Sequence, residues 1–237
     1  EIETRLAEEL DIPVMHDDQH ATAIVTLAGL MNAVVVAGKK LEDIAVVVNG
    51  AGAAGIAITK LLLDAGVTKI TLVDSKGIIA VGRDSMNNIK DEVAGRINPN
   101  GTTGTLAEAL VGADVFIGVS KANLVSRDMV ASMAPSSIIF ALANPDPEIM
   151  PDVAKAGGAV VVATGRSDFP NQVNNVLVYP GLFRGLLNRR AERLTPAMKL
   201  AAARALAGLV SPTVDRILPS ILEINPAETI AQSIASV

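Results

Sequence analysis

The sequence predicts an α/β fold, a doubly wound parallel sheet with flanking helices. Three observations lead there. Apolar strand-like runs alternate with helical stretches from residue 44 onward, which is the pattern of parallel strands joined by crossover helices. Half of the 237 residues are apolar but only 2% are aromatic, so the core is built from Ala, Val, Ile and Leu. A glycine-rich turn, Gly50-Ala51-Gly52-Ala53-Ala54-Gly55, falls where the first strand should meet its helix.

Taken in order, Ile2, Leu6 and Leu10 lie four apart and predict an amphipathic helix with one apolar stripe. DIPVMHDDQHA follows as a short extended piece around Pro13. Ala21 to Ala37 then reads as a long buried helix closed by Gly38, with Lys39 and Lys40 at its negative pole. Ile44 to Val48 is a continuous β-branched run, expected of a strand buried on both faces. Ala53 to Ala65 predicts a helix stopped by Gly66, and Lys69 to Val73 a second strand. Further strands are expected at Val115 to Val119, Ile138 to Leu142 and Val160 to Ala163. Beyond residue 180 the chain turns helical, with Met198, Ala202, Ala205 and Leu209 on one face. Nothing reads as a linker, so residues 1–237 form one domain with 1–40 and 190–237 as helical flanks.

Composition removes several function classes. A net charge of −5 and no lysine–arginine cluster argue against a nucleic-acid partner. The absence of cysteine excludes disulfides, a thiolate zinc site and a thiol nucleophile, and fits a reducing, cytoplasmic setting. No unbroken apolar run reaches the roughly 18 residues of a membrane helix, so no membrane partner is expected.

The glycine turn carries the first chemical signal. Gly50 permits the tight turn, Gly52 lets backbone approach a pyrophosphate, and Gly55 allows close helix–strand packing. The helix that follows offers free N–H groups to phosphate oxygens. Asp74 ends the second strand 19 residues beyond Gly55, where a carboxylate meets a ribose 2′-hydroxyl. That favours NAD, although Ser75-Lys76 could compensate the 2′-phosphate of NADP.

His16-Asp17-Asp18-Gln19-His20 holds both histidines of the chain. Its adjacent carboxylates suit Mg²⁺ or Mn²⁺, and equally suit a polar loop in which Asp17 or Asp18 lies near the N-cap of the long helix. Two histidines without cysteine are a weak zinc signal. Asn144 follows a strand and is placed to orient a substrate carboxylate or carboxamide, or simply to make an Asn-Pro turn. Asn174 and Asn175 form a similar pair. Tyr179, the only tyrosine, has apolar neighbours and is expected to be a packed ring rather than a catalytic acid.

Together HDDQHATA, VVVNGAGAAGIA, LVDSKG, GADVFIGVS, IIFALANPDPEI, ATGRSDFPNQVNNV and PGLFRG resemble the malic enzymes, in the family's order and over nearly the whole chain. The resemblance implies a Rossmann-type NAD(P)-binding domain of an enzyme that oxidatively decarboxylates L-malate to pyruvate and CO₂ with Mg²⁺ or Mn²⁺, working as a homodimer. It implies that Asp18 ligates the metal with Asp17 supporting catalysis behind it, and that Ala51 to Ala54 cradle the pyrophosphate. Asn144 and Asn174 would hold the nicotinamide end and Asn175 the malate carboxylate. Ala21 departs from the family's usual glycine. The family's catalytic tyrosine, catalytic lysine and a Glu-Asp metal pair belong to an amino-terminal catalytic domain upstream of the matched blocks, so the matched stretch is the cofactor half. A catalytically silent NAD-binding module and a different Rossmann dehydrogenase, such as an amino-acid dehydrogenase, are the competing readings.

Overall fold

Short β-branched runs flanked by helix formers can bury themselves only by stacking side by side beneath helices, and that is how this chain folds. The computed structural model describes residues 2–237. In order, the elements are α1 (Ile2–Glu9), α2 (Asp17–Val36), β1 (Ala45–Asn49), α3 (Ala53–Asp64), β2 (Lys69–Asp74) and β3 (Gly77–Ile78). They continue with α4 (Asn88–Ile97), α5 (Leu106–Leu110), β4 (Val115–Gly118), α6 (Arg127–Ala131), β5 (Ile138–Ala141), α7 (Pro151–Ala156) and β6 (Val161–Thr164). A 3₁₀ turn at Asn175–Leu177 leads into α8 (Tyr179–Arg189), α9 (Pro196–Ala207) and α10 (Ala227–Ala235).

The sheet order is β3-β2-β1-β4-β5-β6, so the chain reverses its winding between β1 and β4. Pairings among β2, β1, β4, β5 and β6 are parallel, as expected. β3 departs from the expectation of a wholly parallel sheet. It is a two-residue antiparallel edge that pairs Ile78 with Val73, made possible by the turn at Ser75-Lys76.

Side chains alternate across the strands and meet a helical layer on each face. Val46, Val48, Leu72, Ile117, Phe140 and Ala163 point toward α2, α3, α8, α9 and α10. Val47, Val73, Phe116, Ile139 and Val162 point the other way, toward α5, α6 and α7. α2 is apolar almost all round and therefore sits inside, packed on α3 and α9. It is long and apolar enough to span a membrane by length and composition alone, but two thirds of its apolar window is buried within the fold.

Three local expectations change. α1 forms as predicted, yet no residue in it is buried, and Leu6 and Leu10 are 40% and 42% exposed, so its apolar stripe lies open. In α9, Met198 and Ala202 are buried together with Ala203, Leu206 and Ala207, whereas Ala205 and Leu209 stand half-buried at the rim. Tyr179 is no packed ring: it opens α8 and is 40% exposed, because the buried positions there fall on Leu177 and Val178.

Residues 208–224 contain no helix or strand and are pinned by two buried amides. Asn32 Nδ2 on α2 donates to the carbonyls of Ala207 and Ile217, both at 2.9 Å. Asn171, just past β6 and in the left-handed region at φ 57°, donates to Val162 O at 3.1 Å and Val214 O at 2.8 Å. Its Oδ1 accepts from the Ile217 N–H at 3.0 Å. Asn171→Ala leaves these buried backbone groups without partners and should cost about 3 kcal/mol in urea-melt stability. A loss under about 0.5 kcal/mol would contradict this account.

Candidate functional site

The carboxyl ends of the parallel strands form one edge of the sheet, and the turn from β1 into α3 stands at the winding switch. Gly50 has φ +119°. Gly55 packs so tightly that a Cβ there would lie 1.8 Å from the Gly50 carbonyl oxygen. Gly52 is the N-cap of α3 and provides no side-chain cap, so the first-turn N–H groups have no side-chain acceptor. A Cβ built on Gly52 meets nothing within 4 Å, which leaves open space in front of these donors. Gly52 and Ala53 are exposed and Ala51 and Ala54 are half-buried. Such an arrangement accommodates a pyrophosphate and offers nothing to a cation.

Asp74 ends β2 beside this turn, but it does not stand free. Arg83 donates to it with Nη1 at 2.8 Å and Nη2 at 2.7 Å, and Lys90 Nζ donates at 2.7 Å. The Lys76 backbone N–H adds a fourth bond at 2.9 Å. Burial alone would raise the Asp74 carboxyl, but hydrogen bonds from Arg83 and Lys90 outweigh it and hold the group far below the usual carboxylate range. The compensating cations are thus Arg83 and Lys90; Lys76 contributes its backbone, not the ammonium that the sequence suggested. Two cations against one carboxylate leave this end locally positive. The Arg83 Nε is also buried without a hydrogen-bond partner among the described residues.

At the next strands, Asn49 ends β1 buried and donates to Ser120 Oγ at 2.8 Å. Asn144 lies three residues past the end of β5, exposed, and is joined to Pro145 by a cis peptide bond. Behind it Glu148 is wholly buried.

The HDDQH segment is not the extended piece expected; it starts α2, which agrees with the other reading of Asp17 or Asp18 near the N-cap of the long helix. His16 is the N-cap residue and Asp17 and Asp18 occupy the first turn, both exposed. Carboxylates are favoured there by the helix dipole, which explains why the chain prefers helix over strand at this point. The two histidines part company: the His16 N–H reaches Glu3 Oε1 at 3.3 Å, and the His20 ring pairs with the same carboxylate. Burial lowers the His20 pKa, opposed by Glu3.

Asp17 and Asn175 do come together, although far apart in sequence. Asn175 Nδ2 donates to Asp17 Oδ2 at 3.1 Å, and its Oδ1 accepts from Thr22 Oγ1 at 3.1 Å. Asn174 instead turns inward on its own backbone, accepting from the Val176 N–H at 3.0 Å and capping the 3₁₀ turn. Among the described residues no three Asp, Glu or His side chains cluster as metal ligands. By themselves these residues therefore do not fit a resident Mg²⁺ or Mn²⁺.

Sequence reasoning missed Arg83, Lys90, Thr22, Asn49 and Glu148. Arg83 and Lys90 lie 9 and 16 residues after Asp74, at spacings no helical or strand period marks. Glu148 closes an Asn-Pro-Asp-Pro-Glu turn and looks there like one more solvated acid.

The chain matches the family model for the malic enzyme NAD-binding domain over residues 19–237. It is 54% identical over 99% of its length to a bifunctional malic/malolactic enzyme of Bacillus subtilis, of which it covers 58%. It is 52% identical over 90% of its length to an NADP-dependent malic enzyme of Rhizobium meliloti, of which it covers 28%. Its structure superposes on an NAD-dependent malic enzyme of Thermotoga maritima with a TM-score of 0.94 and 44% identity, covering 99% of this chain and 62% of that one. The chain thus spans about three fifths or less of the proteins it matches.

The Asp74 cluster generates a pH prediction. A carboxyl whose folded pKa lies below its unfolded value of about 3.9 stabilises the fold fully above that pH, and the contribution fades as pH falls below it. Asp74→Asn should therefore be less stable than the parent chain at pH 6, with the gap in urea midpoint narrowing between pH 5 and pH 3. A gap that stays constant over that range would refute the assignment.

Proposed function

Because this chain belongs to the malic enzyme family, as its NAD-binding domain, we propose that it is the cofactor-binding half of an enzyme that oxidatively decarboxylates L-malate to pyruvate and CO₂. The observation that carries this reading is the Gly50–Gly55 turn, with its uncapped helix end and open space at the winding switch. The first-turn N–H groups of α3 bind the pyrophosphate, and the absence of a Cβ at Gly52 lets it approach. The adenosine ribose lies at Asp74 and the nicotinamide half at the ends of β4 and β5, against Asn144. When bound, NAD(P)⁺ accepts the hydride from C2 of malate.

Asn175, held in one orientation by Asp17 and Thr22, presents its amide toward the substrate carboxylate. Asp17 acts as its positioning partner. Asn174, whose carbonyl is engaged in the 3₁₀ turn, contributes by fixing the backbone that carries Asn175. Asp18 is exposed and can lend one oxygen to a Mg²⁺ or Mn²⁺ whose other ligands lie outside the described residues. The open apolar stripe on α1 agrees with a domain that works against further protein, in a dimer as the family resemblance implies.

The positive balance around Asp74 makes the cofactor choice broad. A lone carboxylate would repel a 2′-phosphate, but one already paired with Arg83 and Lys90 does not. Isothermal titration should give dissociation constants for NAD⁺ and NADP⁺ within about tenfold of each other, and Lys90→Ala should weaken NADP⁺ selectively. A preference for NAD⁺ beyond about a hundredfold would contradict the charge argument, and binding of neither would contradict the function. With L-malate and Mn²⁺ added, the chain alone should bind the cofactor without reducing it, read as absorbance at the reduced nicotinamide band.

A further inference from the structure

The ends of β4 and β5 are tied together by a side chain that the dinucleotide site as described does not use. Glu148 is 0% exposed. Its Oε1 accepts from the Ser120 N–H and its Oε2 from the Ala143 N–H, both at 3.0 Å. Each donor stands two residues past the last residue of its strand, Gly118 for β4 and Ala141 for β5. The carboxylate is therefore a bridge at equal height across two neighbouring strands, one residue before Asn144.

The surroundings are built for this bridge. A Cβ at Gly118 would come within 2.3 Å of Glu148 Cδ, so the side chain lies flat over a residue that has none. The Glu148 carbonyl accepts from the Val125 N–H at 3.0 Å and the Pro147 carbonyl from the Asn123 N–H at 3.1 Å, which pins the turn to the loop after β4. No lysine, arginine or histidine pairs with Glu148 among the described residues, unlike Asp74 and Asp114. Burial pushes its carboxyl upward, with the Ser120 and Ala143 N–H groups opposing. Both oxygens already face N–H donors, so the arrangement suits the anion and gives a carboxyl proton no acceptor.

We propose that Glu148 is a positioning residue that sets the cofactor-facing ends of β4 and β5 and, as a buried anion, favours the oxidised, positively charged nicotinamide ring over the reduced one. This rests on reading the strand ends as the dinucleotide site. Within that reading the adenosine half takes the Asp74 side of the switch, so the redox half lies over the two turns that Glu148 joins. A buried charge acts at longer range than a solvated one, and no cation among the described residues pairs with this one.

The test uses the full chain and three ligands: NAD⁺, NADH and ADP-ribose, which has the pyrophosphate and adenosine but no nicotinamide. In Glu148→Gln, which removes the charge and sets an amide NH2 against one of the two N–H donors, NAD⁺ affinity should fall about tenfold and NADH by a clearly smaller factor, so that the preference for NAD⁺ shrinks, while ADP-ribose stays within about twofold. Glu148→Asp keeps the charge but is too short to span both N–H groups; it should weaken NAD⁺ and NADH together and preserve their ratio. Should Glu148→Gln fail to fold by its thermal melt, the ratio in Glu148→Asp decides, and a lost preference for NAD⁺ overturns the proposal. Equal weakening of all three ligands in Glu148→Gln overturns it too, as does no change in any. A parent chain that binds none of the three overturns the dinucleotide reading itself, a pattern distinct from either of these.

Discussion

The approach of Gly55 to the Gly50 carbonyl is the contact on which the rest of the site depends. With only 1.8 Å between that oxygen and where a Cβ would stand, α3 can lie against the end of β1 only because residue 55 has no side chain. That closeness aims the uncapped N-terminus of α3 at the winding switch, and it leaves Gly52 facing open space. Were α3 displaced by the width of a methyl group, its first-turn N–H groups would no longer converge where the strand ends open the crevice. Stability and function meet at this point, because the same packing that buries Ile58, Leu61 and Leu62 also fixes the anion-binding donors.

Charge is distributed along the sheet edge in a way that follows from which groups could be paired. Beside β2, Asp74 is exposed enough for long cationic side chains to reach, and Arg83 and Lys90 over-compensate it. Beneath β4 and β5, Glu148 is too deep for any such partner and takes backbone N–H groups instead. At the start of α2, Asp17 and Asp18 sit at a helix N-terminus that favours anions. The edge therefore runs from a positive end, past a neutral donor-rich turn, to a negative end. A dinucleotide with its adenosine ribose at the paired Asp74, its pyrophosphate at the donor-rich turn and its cationic ring toward the negative end matches that gradient.

Much of this was legible in the sequence where a residue's role depends on its near neighbours. The five parallel strands and the glycine turn follow from β-branched runs and local turn chemistry, and Asp74 from its fixed distance to Gly55. Asn175 stands out in the sequence as one of the asparagines that follow strands, but its assignment to a carboxylate came only through resemblance, since its contact with Asp17 spans 158 positions. For HDDQH, Pro13 and the run of ionisable residues suggest an extended piece, while carboxylates before an apolar run suggest a helix start; the helix dipole decides for the second and carries the helix back to Asp17. β3 escaped because two residues carry no period. Arg83, Lys90 and Glu148 escaped for a common reason: surface-type residues recruited by burial of a partner leave no periodic trace.

The central claim is that one bound dinucleotide lies across the strand ends with its pyrophosphate at the start of α3. Backbone amide shifts of the ¹⁵N-labelled chain titrated with NAD⁺ test this directly. The account predicts the largest shifts at Gly52, Ala53 and Ala54, with a second group at Asp74 to Lys76 and a third at Ser120 and Ala143 to Asn144. The α3 turn is itself one wall of a cavity of about 790 Å³, lined by Ala51, Gly52 and Ala53 and running on to Glu3, His20, Lys60 and Lys199. Shifts confined to the far side of that cavity, at Glu3, His20, Lys60 and Lys199, with Gly52 to Ala54 and the ends of β2, β4 and β5 undisturbed, would contradict the account.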